Sequence, residues 1–170
     1  MLEVGSGPGL GGFIASKWAQ KVVLTDYQDI VLDLMETNIR QHNHNAATCE
    51  MFASKIDWND MLKENHYQSI ELVAEDGTVA GKLCDMGLDV VIGTDVVYWK
   101  TQIEPLMDTL DVLYRENANL KIYICYIERH TSTHRELKEA LTNHNFTVTE
   151  FGQDVTKPIN PDSYMYRIEK

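Results

Sequence analysis

The sequence predicts an α/β fold with a mostly parallel sheet, and three observations carry that expectation. Short apolar runs of the buried-strand kind recur at 21–25, 88–93 and 120–127. Segments with helical spacing of apolar residues stand between them. Each strand-like run breaks into a glycine-rich or polar loop, the alternation expected of strands joined by crossover helices.

Residues 1–4, Met1-Leu-Glu-Val, supply only the tail of a strand, so the chain reads as N-terminally truncated. They pass into Gly5-Ser-Gly-Pro-Gly-Leu-Gly-Gly12, the composition of a tight strand-to-helix turn. Helical periodicity follows over 10–19 through Phe13, Ile14 and Trp18. The run at 21–25 ends at Asp26, and 27–40 is a second helix with Ile30, Val31, Leu34, Met35 and Ile39 at helical spacing. A polar connection at 41–45 leads to a weaker strand at 46–53, ending near 54–58. The segment 59–87 is less regular. Within it, 69–74 and 78–83 flank Glu75-Asp76-Gly77, a hairpin signal that reads as an insertion near 63–87 on the rim of a single 1–170 domain.

The clearest buried strand, 88–93, leads into Thr94-Asp-Val-Val-Tyr98. A helix at 103–114 places Leu106, Leu110, Leu113 and Tyr114 on one stripe. A strand at 120–127 follows, then a polar amphipathic helix at 132–143 with Leu137, Ala140 and Leu141 inward. Strands at 146–151 and 164–168 close the chain, the last after turn residues Pro158 and Pro161.

With 170 residues the chain can bury a core without disulfides or metals. A net charge of −11 argues against binding a phosphate backbone and for a basic partner. Cys49, Cys84 and Cys125 have no motif spacing, which indicates a reducing compartment, cytoplasmic or nuclear. No apolar run has the length of a membrane span, so a membrane is not an expected partner, and the charge balance sets nucleic acid aside as well. His130 and His134 stand four apart without a third ligand and read as histidines of a solvated face, so no metal is expected.

The glycine stretch admits two registers. Gly7-Pro-Gly9-Leu-Gly-Gly12 fits a dinucleotide-binding GxGxxG pattern, with an NAD-dependent oxidoreductase as its consequence. Glu3-Val-Gly5-Ser-Gly7-Pro-Gly9 instead sets an acidic residue before alternating glycines that leave the strand directly. Asp26, a little over twenty residues after Gly5, is either a ribose ligand at a strand end or a helix N-cap. Trp58 either stacks on an adenine, with Asp57 accepting from its amine, or packs beneath the insertion. Asp95 and Tyr98 follow the fourth strand on the edge where open α/β sheets bind ligands, or serve as a cap and a rim contact.

The set Leu-Glu-Val-Gly-Ser-Gly-Pro-Gly, Leu24-Thr-Asp-Tyr27, Asn38-Ile39, Asp57-Trp58 and Gly93-Thr-Asp-Val-Val-Tyr98 resembles the seven-strand S-adenosylmethionine-dependent methyltransferases. More narrowly, it resembles the protein-lysine group called family 16. The resemblance implies a Rossmann-like sheet of order 3-2-1-4-5-7-6, with strand 7 antiparallel and helices on both faces. It implies that Glu3, Gly5, Gly7 and Gly9 line the methionine side of the cofactor. It further implies that Asp26 holds the ribose, Asp57 and Trp58 contact the adenine, and Asp95 and Tyr98 border the acceptor channel. The N-terminal extension usual in that family is absent here, and the stretch from Trp58 to Leu88 is long for it.

In-line transfer from a sulfonium needs alignment rather than a metal or covalent nucleophile. A lysine acceptor must first shed its proton, at a cost of about 4–5 kcal/mol at neutral pH. A carboxylate such as Asp95 would bind and orient the amine while opposing that loss, and Tyr98 would offer a π face or a hydroxyl. The acceptor is a protein lysine, a small amine or, in a non-catalytic binding module, none.

Overall fold

The computed structural model describes residues 1–43, 49–156 and 159–170. Strands β1 (Leu2–Val4), β2 (Lys21–Asp26) and β3 (Glu50–Lys55) alternate with helices α1 (Leu10–Ala15) and α2 (Asp29–Asn43). A one-turn helix, α3 (His66–Ser69), precedes the antiparallel pair β4 (Glu71–Val73) and β5 (Val79–Lys82). Then come β6 (Val90–Thr94), α4 (Ile103–Glu116), β7 (Lys121–Ile127), α5 (Thr131–Asn143), β8 (Thr147–Glu150), α6 (Gln153–Thr156) and β9 (Ser163–Glu169). The expected connection at 41–45 and the start of the strand expected at 46–53 fall partly on 44–48, outside the described residues, as does the turn residue Pro158.

The strands form one sheet of order β5-β4-β3-β2-β1-β6-β7-β9-β8. The expectation of seven strands is corrected to nine. The hairpin does not hang free of the rim: β4 pairs antiparallel with β3 through Ala53 and Val73, and the Ser54 hydroxyl donates to the Glu71 carbonyl. Satisfying the open edge of β3 in this way removes a row of unpaired backbone groups. Without β4 and β5 the order is the expected one, and β9 runs antiparallel to β7 and β8.

Alternation along the strands divides the core. In β1, Leu2 and Val4 face α4 and α5, where they join Val91, Ile122, Ile124, Leu106 and Leu110. Val22 and Leu24 of β2 face the other side and pack with Met35 and Ile39 of α2. Full burial of one such side chain contributes about 1.5–3 kcal/mol. The helix expected over 10–19 stops at Ala15, and its Leu10, Ile14 and Trp18 point outward. The reason is the other side of α1. A Cβ on Gly12 would lie 2.1 Å from Leu24 Cδ2, so the helix approaches the sheet through its glycines, with Phe13 partly buried beside them and Leu10 and Ile14 left outside. Among the described residues no helix is long and apolar enough to cross a membrane.

Helices α4 and α5 are tied at one end by His144, whose Nδ1 lies 2.7 Å from Asp111 Oδ2 and whose Nε2 lies 3.1 Å from Glu104 Oε2. Burial disfavours the charged imidazole, but the two carboxylates outweigh it and raise the pKa above 6.5. The folded state therefore holds this proton more tightly than the unfolded state does. The contribution is complete below pH 6.5 and is lost as pH rises through the raised value. His144→Gln is expected to cost about 1–2 kcal/mol near pH 6 and clearly less near pH 9 in paired urea titrations.

Candidate functional site

The strand order reverses between β1 and β6, and the loops leaving β1, β2, β3 and β6 meet at their carboxyl ends above that point. They enclose a cleft of about 350 Å³ whose walls include Gly5, Asp26, Asp57, Trp58 and Tyr98. Five of the residues singled out in the sequence are thus brought together. Glu3, Gly7, Gly9 and Asp95 stand around the cleft rather than in its wall.

The loop after β1 is fixed mainly by β2. Ser6 N–H donates to Thr25 O at 2.8 Å, and Thr25 N–H donates to Ser6 Oγ at 2.9 Å. The hydroxyls of Ser6 and Thr25 both donate to the carbonyl of Glu3, at 2.9 and 2.7 Å. Gly5 has φ +58°, and a Cβ there would lie 3.0 Å from Val96 Cγ1 and 3.2 Å from Trp58 Cζ2. A side chain at this position would meet both an unfavourable backbone and the cleft wall. The far end of the loop is held by Asn38, whose Nδ2 donates to Pro8 O at 2.9 Å.

Glu3 itself lies beneath the loop, fully buried. Its Oε2 accepts from Gly12 N at 2.8 Å and its Oε1 from Thr94 Oγ1 at 2.7 Å, joining the start of α1 to the end of β6. Burial raises its pKa, and these hydrogen bonds oppose the rise without cancelling it.

Asp26 ends β2 with its carboxylate fixed by backbone donors. Oδ1 accepts from Tyr27 N at 2.8 Å and Gln28 N at 3.3 Å, and Oδ2 accepts from Gly7 N at 3.2 Å. The N-cap reading is corrected, because these donors precede α2, whose first bonds go to Gln28 O, and the carboxylate has further lone pairs to offer the cleft. Beyond β3, Asp57 Oδ1 accepts from Asn59 N at 2.9 Å and from Asn59 Nδ2 at 2.8 Å, closing a single 3-10 turn, Trp58–Asp60. Trp58 is partly buried and packs on the core while its ring faces Gly5, so it serves as both packing and wall.

The loop after β6 brings Asp95 and Tyr98 to the other side. Asp95 is a non-glycine residue at φ +59°, with its N–H donating to Cys125 O at 2.6 Å. Arg129 grips its carboxylate with two bonds of 2.8 and 2.7 Å. The guanidinium beside it, acting against partial burial, holds that carboxyl below the ordinary Asp range. Tyr98 packs edge-on against Trp99, with ring centroids 5.9 Å apart. Partial burial raises the pKa of its phenol, and the nearby Tyr27, Asp26 and Asp95 add to the rise. Tyr98 also lines a small enclosed crevice, without room for a water molecule, together with Arg129, Glu128, Tyr126 and His134.

The reading of His134 as a solvated-face residue is corrected. Its side chain is 13% exposed, its Nδ1 lies 2.7 Å from Tyr126 Oη, and its ring packs 4.6 Å from that of Tyr164. The helical spacing hid this because α5 turns His134 toward the ends of β7 and β9. Arg129 and Trp99 were not singled out from the sequence, and Tyr27 entered only as the last residue of a quoted motif. Each lies at or just beyond the carboxyl end of a parallel strand, the one signal that would have marked them.

A sequence profile described as lysine methyltransferase matches residues 1–143. A curated protein of Dictyostelium discoideum is 28% identical over 171 residues, covering 96% of this chain and 46% of its own length. The chain thus spans about half the length of that relative. The fold matches a methyltransferase from Pyrococcus furiosus with a TM-score of 0.61 at 16% identity, over 98% of this chain and 72% of that one. It also matches a magnesium protoporphyrin IX methyltransferase from Synechocystis, solved with bound S-adenosylmethionine. That TM-score is 0.56 at 11% identity, over 99% of this chain and 69% of the other.

Proposed function

We propose, on the premise that the chain belongs to the lysine methyltransferase family, that it is an S-adenosylmethionine-dependent methyltransferase acting on a lysine amine of a protein. The observation that carries the acceptor half of this reading is the position of Tyr98. It lines both the main cleft and the crevice at Arg129, and in this reading the cofactor occupies the cleft while the amine approaches along the rim at Asp95.

The residues of the cleft fit the cofactor. Asp26 turns a backbone-fixed carboxylate toward a space in which a diol would find acceptors, and Trp58 offers an aromatic wall. The missing Cβ of Gly5 leaves room between that wall and Val96. The volume is that of an ordinary small-molecule site. When bound, S-adenosylmethionine supplies a methyl group on a sulfonium, whose loss leaves a neutral thioether.

The protein's part is to hold and align. Asp26 and the glycine loop fix one reactant, while Asp95 and Tyr98 orient the other. The amine lone pair is then directed past Tyr98 into the cleft. The proton must leave the ammonium before attack, and solvent at the exposed rim by Tyr98 and Trp99 takes it. Tyr98 and Trp99 are 48% and 62% exposed, which favours an acceptor laid across the rim over a small amine enclosed within it.

Incubating the protein with a cell lysate and heavy-methyl cofactor tests the proposal. Mass spectrometry is expected to find heavy-methyl lysine on one or a few proteins. Label confined to small metabolites would transfer the reading to a small-amine acceptor. Absence of label, together with no heat on titration with S-adenosylhomocysteine, would indicate a non-catalytic module.

A further inference from the structure

We propose that Arg129 is a positioning residue that cancels the charge of Asp95 and so lets the acceptor lysine enter the corner as a free amine. This inference rests on the lysine reading above. A lone carboxylate at the acceptor site poses a conflict. It attracts an ammonium, yet it holds the proton that must leave before the nitrogen can attack. The bidentate contact of 2.8 and 2.7 Å resolves the conflict, because the planar fork of the guanidinium matches both carboxylate oxygens. The corner then keeps hydrogen-bond acceptors with little net charge.

The surroundings do not supply this balance otherwise. From β7 and the loop after it, Asp95 is faced by the Cys125 thiol, which burial and the neighbouring carboxylate hold in its neutral form, and by Arg129. Tyr98 faces it on its own loop, with Asp26 and Tyr27 beyond from the end of β2. Glu128, His130 and His134 line the enclosed crevice that Tyr98 and Arg129 also border. Among these described residues, the fixed charges other than Asp95 and Arg129 are the carboxylates of Asp26 and Glu128, so without Arg129 the corner is acidic.

The pair is also exchangeable. Arg129 and Asp95 are 45% and 46% exposed, and an ion pair so placed is weak enough for an incoming amine to share the carboxylate. Sharing leaves Arg129 beside the amine, where a like charge disfavours the ammonium.

The test compares the wild type, Arg129→Gln and Arg129→Lys, using as acceptor a peptide cut from the protein most strongly labelled in the lysate. For Arg129→Gln at neutral pH, KM is expected to fall about two- to fivefold because ammonium binds better. Over the same comparison kcat is expected to fall roughly tenfold, and the rise of kcat with pH to move up by about one unit. The deficit closes near pH 10, and Arg129→Lys, which keeps the charge, restores most of the wild-type profile. A role confined to folding predicts instead a raised KM and a loss that alkaline pH does not repair. That result, or an unmoved pH profile in Arg129→Gln, overturns the inference and leaves lysine methylation standing. If no form labels lysine although S-adenosylhomocysteine still binds, the lysine reading fails and the inference fails with it.

Discussion

Asp95→Asn is expected to slow methyl transfer about 100-fold, equivalent to about 2.7 kcal/mol, while changing the affinity for S-adenosylhomocysteine less than about twofold. The separation follows from position. Asp95 is not part of the main cleft wall, whereas its carboxylate forms the acceptor corner with Arg129. Hydrogen bonds to charged groups contribute about 1.5–3 kcal/mol, so losing the charge removes an effect of the size expected. Asparagine is a better replacement than alanine here. The backbone stands at φ +59°, a conformation that Asn and Asp tolerate, and Asn retains the N–H bond to Cys125 O. Rates with labelled cofactor and a calorimetric titration decide the matter. Equal losses in both would move Asp95 into the cofactor site, and unaltered turnover would remove it from the mechanism.

What the sequence made legible was chiefly what is local. Val22 to Leu24 are apolar because β2 is buried on both faces of the sheet, and such a run can be read without knowing its neighbours. Gly5, Asp26, Asp57 and Tyr98 could be gathered for a related reason. A parallel sheet brings the carboxyl ends of its strands to one edge, so order along the chain translates into proximity. Contacts set by tertiary placement were not legible. The docking of β4 on β3 depends on an open edge that no local pattern reveals. The ion pair of Asp95 with Arg129 spans 34 residues and two loops. His134 looked like a surface residue because a polar helix gives no hint of the tyrosines packed against its end.

Glu3 is the sharpest case, because its residue type was informative and its role was not. The resemblance assigned it to the cofactor side, whereas its carboxylate turns toward Gly12 and Thr94, the second of them 91 residues away. Glu3→Ala is expected to destabilise the fold by about 3–5 kcal/mol. It leaves the buried Gly12 N–H without its acceptor, at about 1–3 kcal/mol, and opens a cavity beside α1, while the Thr94 hydroxyl, on an exposed residue, can turn to water. Glu3→Gln is the milder and more diagnostic change, since it keeps the volume and one acceptor while removing the titration. Because burial raises the pKa of Glu3 above 4.5, the folded state binds this proton more tightly than the unfolded chain does. The wild type therefore gains stability from this group as pH falls through the raised value toward 4.5, and loses it as pH rises. The glutamine variant lacks that gain, so its deficit in urea midpoint should widen from pH 8 toward pH 5. A deficit that narrows on acidification would mean that the carboxylate is stabilised as the anion. The bonds from Gly12 and Thr94 would then outweigh burial, and the loop over the cleft would rest on a buried charge rather than on a group poised to take up a proton.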